Sequence, residues 1–183
     1  MLKEIKENLK IQLKDQDFPL RITLRNEEWV HAELILSNKS FNGVLDVYLQ
    51  GDGSNFNLTG RILGARSNKI NFMVKIHHLG RNTTGNVEIK AVLKDSAKLN
   101  FEGLLSVEKT ASGTKTYLSQ KSLLIGNGVK VNSAPSLEIK NNNVKCSHGV
   151  TIGRVGEEEI YYMMSRGLKC IQAEELVVEG FLN

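Results

Sequence analysis

Hydrophobic and polar residues alternate along most of the chain, with the period of two that is typical of β-strands. Gly-, Asn- or Ser-rich breaks separate the alternating segments roughly every 8–15 residues, a spacing that suits all-β folds. The pattern therefore predicts a mainly β protein of many short strands as far as residue 155. The clearest alternating segments span residues 20–24, 30–36, 87–93, 99–107, 129–131, 137–139 and 144–146.

Two architectures fit this pattern about equally well, a β-sandwich and a parallel β-solenoid, with a barrel as a third form. The chain has no strict repeat, but an irregular solenoid needs none because each coil only has to present apolar residues inward. The segments SLLIG (122–126) and SLEIK (136–140) place isolated apolar pairs between polar breaks. The three asparagines at 141–143 can stack on polar residues of adjacent coils. The pattern alone leaves both architectures open.

The pattern becomes helical after Gly156. Three glutamates at 157–159 would occupy the first helical turn, where the helix dipole favours negative charge, and Gly167 is placed to end this helix. A second helix is predicted over 171–179, with Gly180 ending it. The sequence thus predicts two short C-terminal helices.

Apolar residues at helical spacing also predict a short helix over residues 1–10. The chain as a whole is expected to divide into a β core (1–155) and a C-terminal helical segment (156–183). It contains no apolar run that resembles a signal peptide or a membrane span, so we expect a cytoplasmic protein without membrane contact.

The composition is that of a globular protein, with 40% hydrophobic and 24% charged residues and a net charge of +4. Basic and acidic residues are interleaved, and no Lys/Arg block or aromatic platform is present, which argues against nucleic-acid binding. Two cysteines do not make a disulfide framework, and this is consistent with a reducing compartment.

Candidate chemistry is concentrated in the segment VKCSHGVTIG (144–153), where Cys146 and His148 share one face of a predicted strand. Thiolate and imidazole both suit iron, but two ligands do not complete a site, so a second subunit would have to supply others. The alternative is that Cys146 is a small buried hydrophobe. An imidazole beside Gly149 is an awkward core residue, so we interpret His148 as a working residue and Cys146 as a packing residue with an auxiliary role.

Other motifs give little support to enzyme chemistry. His77 and His78 point in opposite directions on a strand, so at most one faces inward. The chain has no GxSxG elbow, no phosphate-binding loop and no evident pair of carboxylates for glycoside hydrolysis. We expect the protein not to be an enzyme.

The C-terminal sequence resembles the SufB/SufD family of iron–sulfur cluster assembly proteins, and the SufD branch most closely. The resemblance covers residues 70–183 and extends more vaguely back to about residue 20. It rests on an ordered series of motifs rather than on any single one. These are His78 with Asn82-Thr83-Thr84, Phe101-Glu102-Gly103, SLLIG, PSLEI, VKCSHG, Gly153, Tyr161-Tyr162, Ser165-Arg166-Gly167, Ala173-Glu174 and Gly180-Phe181.

This resemblance implies a right-handed parallel β-helix with a short C-terminal helical tail, which decides between the two architectures. It also implies a scaffold subunit of a SUF-type assembly complex rather than an enzyme. Such a subunit would pair through its β-helix with itself or with a SufB-like paralogue, and would dock a SufC-type ABC ATPase through its C-terminal helices. No tightly bound cofactor is expected, although an iron–sulfur cluster or iron can be held transiently at a subunit interface.

The resemblance also implies roles for particular residues. His148 and Cys146 are the candidate ligands for a cluster or metal. The helical tail would bind the ATPase, although its apolar residues can instead seal the open end of the β-helix. The candidate partner-binding residues are Glu158, Tyr161, Tyr162, Met164 and Arg166.

This chain departs from the family pattern in two respects. The cysteine that is thought to receive sulfur in the SufB branch corresponds here to Gln120 or Lys121, and neither can carry a persulfide. The chain is also expected to be a short form that lacks the N-terminal helical domain. Two alternatives therefore stay open: a purely structural β-solenoid without cluster chemistry, and a β-helix enzyme that acts on polysaccharide.

Overall fold

The computed structural model describes residues 2–4 and 9–183, and only the backbone for residues 2–4. Within these residues the chain forms twelve strands, one short 3-10 helix and two α-helices. The strands are β1 (Leu2–Glu4), β2 (Leu9–Leu13), β3 (Leu20–Leu24), β4 (Trp29–Ser37), β5 (Phe41–Leu49), β6 (Asn55–Gly64), β7 (Lys69–His78), β8 (Thr84–Lys94), β9 (Lys98–Val107), β10 (Lys115–Ile125), β11 (Lys130–Ile139) and β12 (Lys145–Arg154). The 3-10 helix covers Asp15–Asp17, and the α-helices are α1 (Glu157–Ser165) and α2 (Cys170–Leu182).

Successive strands alternate between two parallel sheets. The first sheet has the order β1-β3-β5-β7-β9-β11, and the second has the order β2-β4-β6-β8-β10-β12. All the paired strands are parallel, so each coil of the chain adds one strand to each sheet. This arrangement is a parallel β-solenoid, which confirms the predicted fold class and excludes a sandwich of antiparallel sheets.

The core lies between the two sheets and is filled by the inward residues of every coil. Phe72 and Phe101 are in register on β7 and β9, and their ring centroids lie 6.1 Å apart. A Cβ added at Gly103 would lie 2.4 Å from Cδ1 of Leu118, so the Leu118 side chain packs directly against the backbone of β9 at this point. The alternation in the sequence thus becomes an interior face and an exterior face on each strand.

Polar residues in the turns stack from coil to coil. The Asn141 amide donates a hydrogen bond to the Lys109 carbonyl at 2.6 Å, and the Asn143 amide donates to the Ser112 hydroxyl at 2.9 Å. The predicted stacking of residues 141–143 on the adjacent coil is confirmed. These bonds tie the turns of adjacent coils to each other.

The short helix predicted over residues 1–10 is wrong for the residues that the structure describes. Leu2–Glu4 pairs with β3 and Leu9–Leu13 pairs with β4, while residues 1 and 5–8 lie outside the description. A helix of about ten residues is marginal in water without tertiary packing, whereas a strand on an existing sheet gains ladder hydrogen bonds.

The two C-terminal helices lie where the sequence predicts them, with one difference in length. The Glu159 carboxylate accepts a hydrogen bond from the Gly156 N–H at 3.0 Å, and Gly167 has a positive φ of 99° after the last turn of α1. Gly180 does not end α2, which continues to Leu182. A helical glycine costs only about 1 kcal/mol, and the Arg61 side chain supports the last turn by donating to the Leu182 carbonyl at 3.1 Å.

The helices pack beside the second sheet. Ala173 of α2 and Val92 of β8 are both buried, and Lys94 forms an ion pair with Glu174 at 3.5 Å. Helix α1 contacts α2. Neither helix in the described part of the chain is long and apolar enough to cross a membrane.

Candidate functional site

The last coil, formed by β11 and β12, leaves one edge of each sheet unpaired. Both strands are terminal in the sheet order, and within residues 2–4 and 9–183 no strand lies against their outer edges. Unpaired strand edges present N–H and C=O groups to another chain. Pro135 lies in β11, where a missing N–H is tolerated because the strand is at an edge.

Within the described residues, no further coil covers the inward side chains of this last coil. Val150 and Ile152 of β12 are in register with the buried residues Gln120 and Ser122 of β10. They are nevertheless 38% and 47% exposed. Ile139 of β11 is also exposed. Exposed apolar side chains on the interior face of one coil are a candidate surface for association. We call β11 and β12, with these three residues, the open coil.

Cys146 and His148 lie on this same interior side of β12. Cys146 is in register with Thr116, and His148 is in register with the buried Leu118. His148 is exposed and Cys146 is half-buried. Burial raises the pKa of the Cys146 thiol, so the uncharged thiol is favoured at neutral pH. His148 is therefore the more available of the two as a ligand.

The residues around His148 shape its position. Pro135 of β11 is in register with Gly103, and His148 is in register with Leu118, which packs against Gly103. Pro135 and His148 therefore occupy the positions of the open coil that Gly103 and Leu118 occupy in the coil before it. A Cβ at Gly149 would lie 3.1 Å from the Tyr117 hydroxyl on the outer face. Gly149 therefore leaves room for the Tyr117 side chain on the outer face of β12, the face opposite to His148.

A complete metal site is not formed within the described residues. No group of three or more His, Cys, Asp or Glu side chains lies close enough there to hold a metal ion. Cys146 and His148 can supply at most two ligands, so any cluster or iron at the open coil would need ligands from a second subunit.

Gln120 and Lys121, the residues singled out as a departure from the SufB pattern, have different surroundings. Gln120 is fully buried beneath the open coil, and its amide donates to the Ser122 hydroxyl at 2.6 Å. Lys121 points outward and lies 3.9 Å from Glu88. Neither an amide nor an ammonium group can accept and transfer sulfur as a thiolate does.

The candidate partner-binding residues lie on α1 and just after it, in two stripes. Glu158, Tyr162 and Arg166 follow one another at i, i+4 and i+8. The Arg166 guanidinium lies 5.3 Å from the centroid of the Tyr162 ring. Tyr161 and Met164 form the second stripe and line a cleft between the helices and the end of β12. Tyr161 and Tyr162 are 65% and 61% exposed, so these side chains do not seal the end of the solenoid.

The cleft between the helices and the solenoid has a volume of about 470 Å³. Arg154 lines it and donates a hydrogen bond to the Gly126 carbonyl at 2.6 Å. Cys170, the first residue of α2, also lines it and is exposed. Tyr161 and Met164 of α1 thus point into the open space of this cleft.

The remaining histidines have structural partners. His78 is buried, and its Nδ1 lies 2.8 Å from the Thr83 hydroxyl. His77 points to the outer face, with its Nε2 2.9 Å from Asp46 and its ring stacked on Tyr48. The prediction that the two rings face opposite ways is confirmed.

Sequence reasoning missed the apolar part of the open coil. Val150 and Ile152 continue the alternation that begins at Cys146 and His148, so the sequence signals that they share one face. It does not signal that this face is uncovered, because that depends on the strand order. The fold and this site together define a parallel β-solenoid whose last coil leaves its inward face and two strand edges uncovered within the described residues.

Comparison with known proteins agrees with that class. The sequence matches the SufBD core domain of the SUF system for FeS cluster assembly over residues 22–181. The chain belongs to this SufBD family.

Individual relatives carry the names of both branches. The chain is 36% identical to SufD of Escherichia coli over 92 residues, which is 50% of this chain and 22% of that protein. It is 32% identical to SufD of Bacillus subtilis over 134 residues, which is 73% of this chain and 31% of that protein. It is 27% identical to SufB of Bacillus subtilis over 135 residues, which is 74% of this chain and 29% of that protein. The chain thus spans less than a third of the length of each of these relatives.

Proposed function

We propose that this chain is a SufD-like scaffold subunit of a SUF-type iron–sulfur cluster assembly complex. In this proposal the open coil pairs with a sister subunit, either a second copy or a SufB-like paralogue, and the helical tail docks a SufC-type ATPase. A nascent cluster or iron is held transiently where the subunits meet. The cytoplasmic location expected from the sequence stays a prediction.

The exposure of the interior face at the open coil carries this proposal. The positions of Val150 and Ile152 are buried on β4, β6, β8 and β10, yet on β12 they are exposed together with two unpaired strand edges. Covering these side chains with another subunit would remove apolar surface from water, at about 25 cal/mol per Å². The partner's strands would also satisfy the backbone groups of β11 and β12.

Replacing Ile152 with aspartate is expected to weaken pairing by about tenfold or more, because the variant would bury a carboxylate without a partner. Sedimentation velocity of the purified chain, and of the chain co-expressed with a SufB-like paralogue, measures the effect. Ile35→Asp is the matched control, since Ile35 is 48% exposed on β4, four strands away from β12. Equal pairing by Ile152→Asp and the unmodified chain would contradict the proposed interface.

His148 has the position that a shared ligand would need. It is exposed on the open coil, between the interior of this solenoid and the space that a sister subunit would fill. A neutral imidazole can bind iron directly, whereas a cysteine thiol must first lose its proton. Cys146 is half-buried with a raised pKa, which suits an auxiliary ligand that a metal would have to deprotonate.

His148→Ala is expected to reduce cluster assembly by about tenfold or more while leaving the complex intact, because it removes a ligand but no apolar anchor. Acid-labile sulfide and iron per complex, measured after anaerobic purification, report the loss. Size-exclusion chromatography of the same sample reports whether the complex persists. Full cluster content in His148→Ala would instead favour a purely architectural subunit.

A further inference from the structure

Three lysines lie in register on the outer face of the first sheet. Lys69 of β7 pairs with Lys98 of β9, and Lys98 pairs with Lys130 of β11. Neighbouring strands are about 4.8 Å apart, so these three exposed residues are spaced along about 10 Å of the solenoid axis. We call them the lysine ladder. Like charges directly opposite each other on adjacent strands are destabilising.

Nothing in the described part of the chain compensates this repulsion. Two other cations on the first sheet or at its edge have anionic partners, since Arg21 lies 3.2 Å from Asp46 and Lys140 lies 2.7 Å from Glu108. Among the described residues, no carboxylate forms an ion pair with a side chain of the lysine ladder. A bound anion would offset the repulsion.

A second basic column, on the other sheet, shows the contrast. Arg61, Lys90 and Lys121 are also in register on β6, β8 and β10. Two of these three have acceptors within the chain, because Arg61 donates to the Leu182 carbonyl and Lys121 lies near Glu88. That column is therefore partly neutralised by the protein, whereas the lysine ladder is not.

A row of asparagines runs beside the lysine ladder, two residues further along each strand. Asn71, Asn100 and Asn132 form this row, and a groove of about 450 Å³ lies between it and the lysines. The Asn132 amide donates to Asn100 at 2.6 Å, and the Asn100 amide donates to Glu102 at 3.2 Å. Each amide nitrogen carries two N–H groups, so each retains a donor for a ligand. The groove thus has ammonium donors on one wall and amide donors on the other.

We propose that this groove binds a short linear polyphosphate, either free or as the tail of a nucleoside triphosphate. Each phosphate group carries several acceptor oxygens, so it can accept from a lysine and an asparagine at the same time. Successive phosphates of such a chain lie closer together than the lysines do, so every ammonium group can reach an oxygen. Lys130 belongs to β11 of the open coil. The groove is nevertheless lined by residues of one chain, so anion binding does not require the open coil to pair with a second subunit.

An acidic peptide fits the groove less well. A strand presents every second side chain to one face, about 6.8 Å apart, which is wider than the lysine spacing of about 4.8 Å. A carboxylate also has fewer acceptor oxygens than a phosphate group. The Glu102 carboxylate beyond the asparagine row would repel both kinds of anion, so it does not discriminate between them.

Calorimetric titration of the purified chain with tripolyphosphate at low ionic strength tests the proposal. Lys98→Gln removes the central charge and is expected to weaken binding by about tenfold, the equivalent of one charge-assisted hydrogen bond. Lys109→Gln is the matched control, because Lys109 is an exposed lysine beyond the opposite end of β9. It is expected to bind as the unmodified chain does. Added salt should weaken the binding further, since the site is exposed.

Titrations with further ligands distinguish a free polyphosphate from the triphosphate tail of a nucleotide. ATP that binds at least as tightly as tripolyphosphate would identify a nucleotide tail, and weaker ATP binding would identify a free polyphosphate; both support the site. The proposal is overturned if Lys98→Gln binds tripolyphosphate as the control does. It is also overturned if AMP or a hexaglutamate peptide binds as tightly as tripolyphosphate.

Discussion

Replacing Tyr161 and Tyr162 together with alanine is expected to abolish capture of the proposed SufC-type ATPase, weakening binding by more than about hundredfold. Both rings project from α1 into solvent, and exposed aromatic side chains are the usual anchors of an interface. Each such anchor contributes about 2 kcal/mol or more when it fills a pocket on the partner. The two rings lie on different stripes of the helix, so together they cover both sides of the docking surface.

The measurement is co-purification of the ATPase with a tagged chain, followed by titration of the separated proteins. Tyr117→Ala is the control, because Tyr117 is 46% exposed on β10 and lies outside the helical tail. Circular dichroism of the double variant shows whether the helices remain. Undiminished capture by a folded double variant would refute docking through α1.

Acidification from about pH 6.5 to pH 4 is expected to destabilise the fold by about 3 kcal/mol through His78 alone. Burial is the main cause that lowers the pKa of His78 from 6.5 to about 4, and the neighbouring His77 charge adds to it. The unfolded chain therefore binds a proton in this range while the native chain does not. Stability contributed by neutral His78 is complete above pH 6.5, falls as the pH falls, and stops falling near pH 4.

Urea unfolding at a series of pH values measures this dependence. His78→Gln keeps a partner for the Thr83 hydroxyl but has no group that titrates here, so its stability should fall less steeply between pH 6.5 and 4. His31→Gln, on the outer face of β4, is the control and should retain the slope of the unmodified chain. A slope that is the same with and without His78 would show that the ring does not resist protonation.

The strands could be predicted from the sequence because each buries one face, and burial of alternate residues leaves a local pattern. The choice between a solenoid and a sandwich could not be made from that pattern. An inward-facing Leu118 has the same neighbours in sequence whether the strand beside it is parallel or antiparallel. The family resemblance supplied the missing information about strand order.

The predictions of an N-terminal helix and of an end of α2 at Gly180 were wrong because contacts with distant parts of the chain decide the structure there. Leu9 and its neighbours satisfy a helical spacing, but the edge of β4 offers them ladder hydrogen bonds that a short helix in water cannot match. Gly180 is a plausible helix end by sequence, yet Arg61, far away in the chain, supports the turn that follows it. In both cases tertiary contacts outweighed a local sequence signal, which at Gly180 amounts to about 1 kcal/mol.

The candidate site was predicted only in part. Cys146 and His148 were visible because their residue types are rare in this chain and suit metal binding. The apolar part of the open coil and the lysine ladder were not visible, because each depends on register between strands about thirty residues apart. Lys69, Lys98 and Lys130 look like unrelated surface lysines until the coils are stacked.

The central claim is that the open coil and the helical tail join this chain to partners that build an iron–sulfur cluster. The most direct measurement is anaerobic purification of the tagged chain together with its native partners, followed by absorbance spectroscopy and identification of the bound proteins. We predict a complex that contains an ABC-type ATPase and a sister subunit, with the broad visible absorbance of an iron–sulfur cluster. A colourless single protomer without an ATPase would contradict the account.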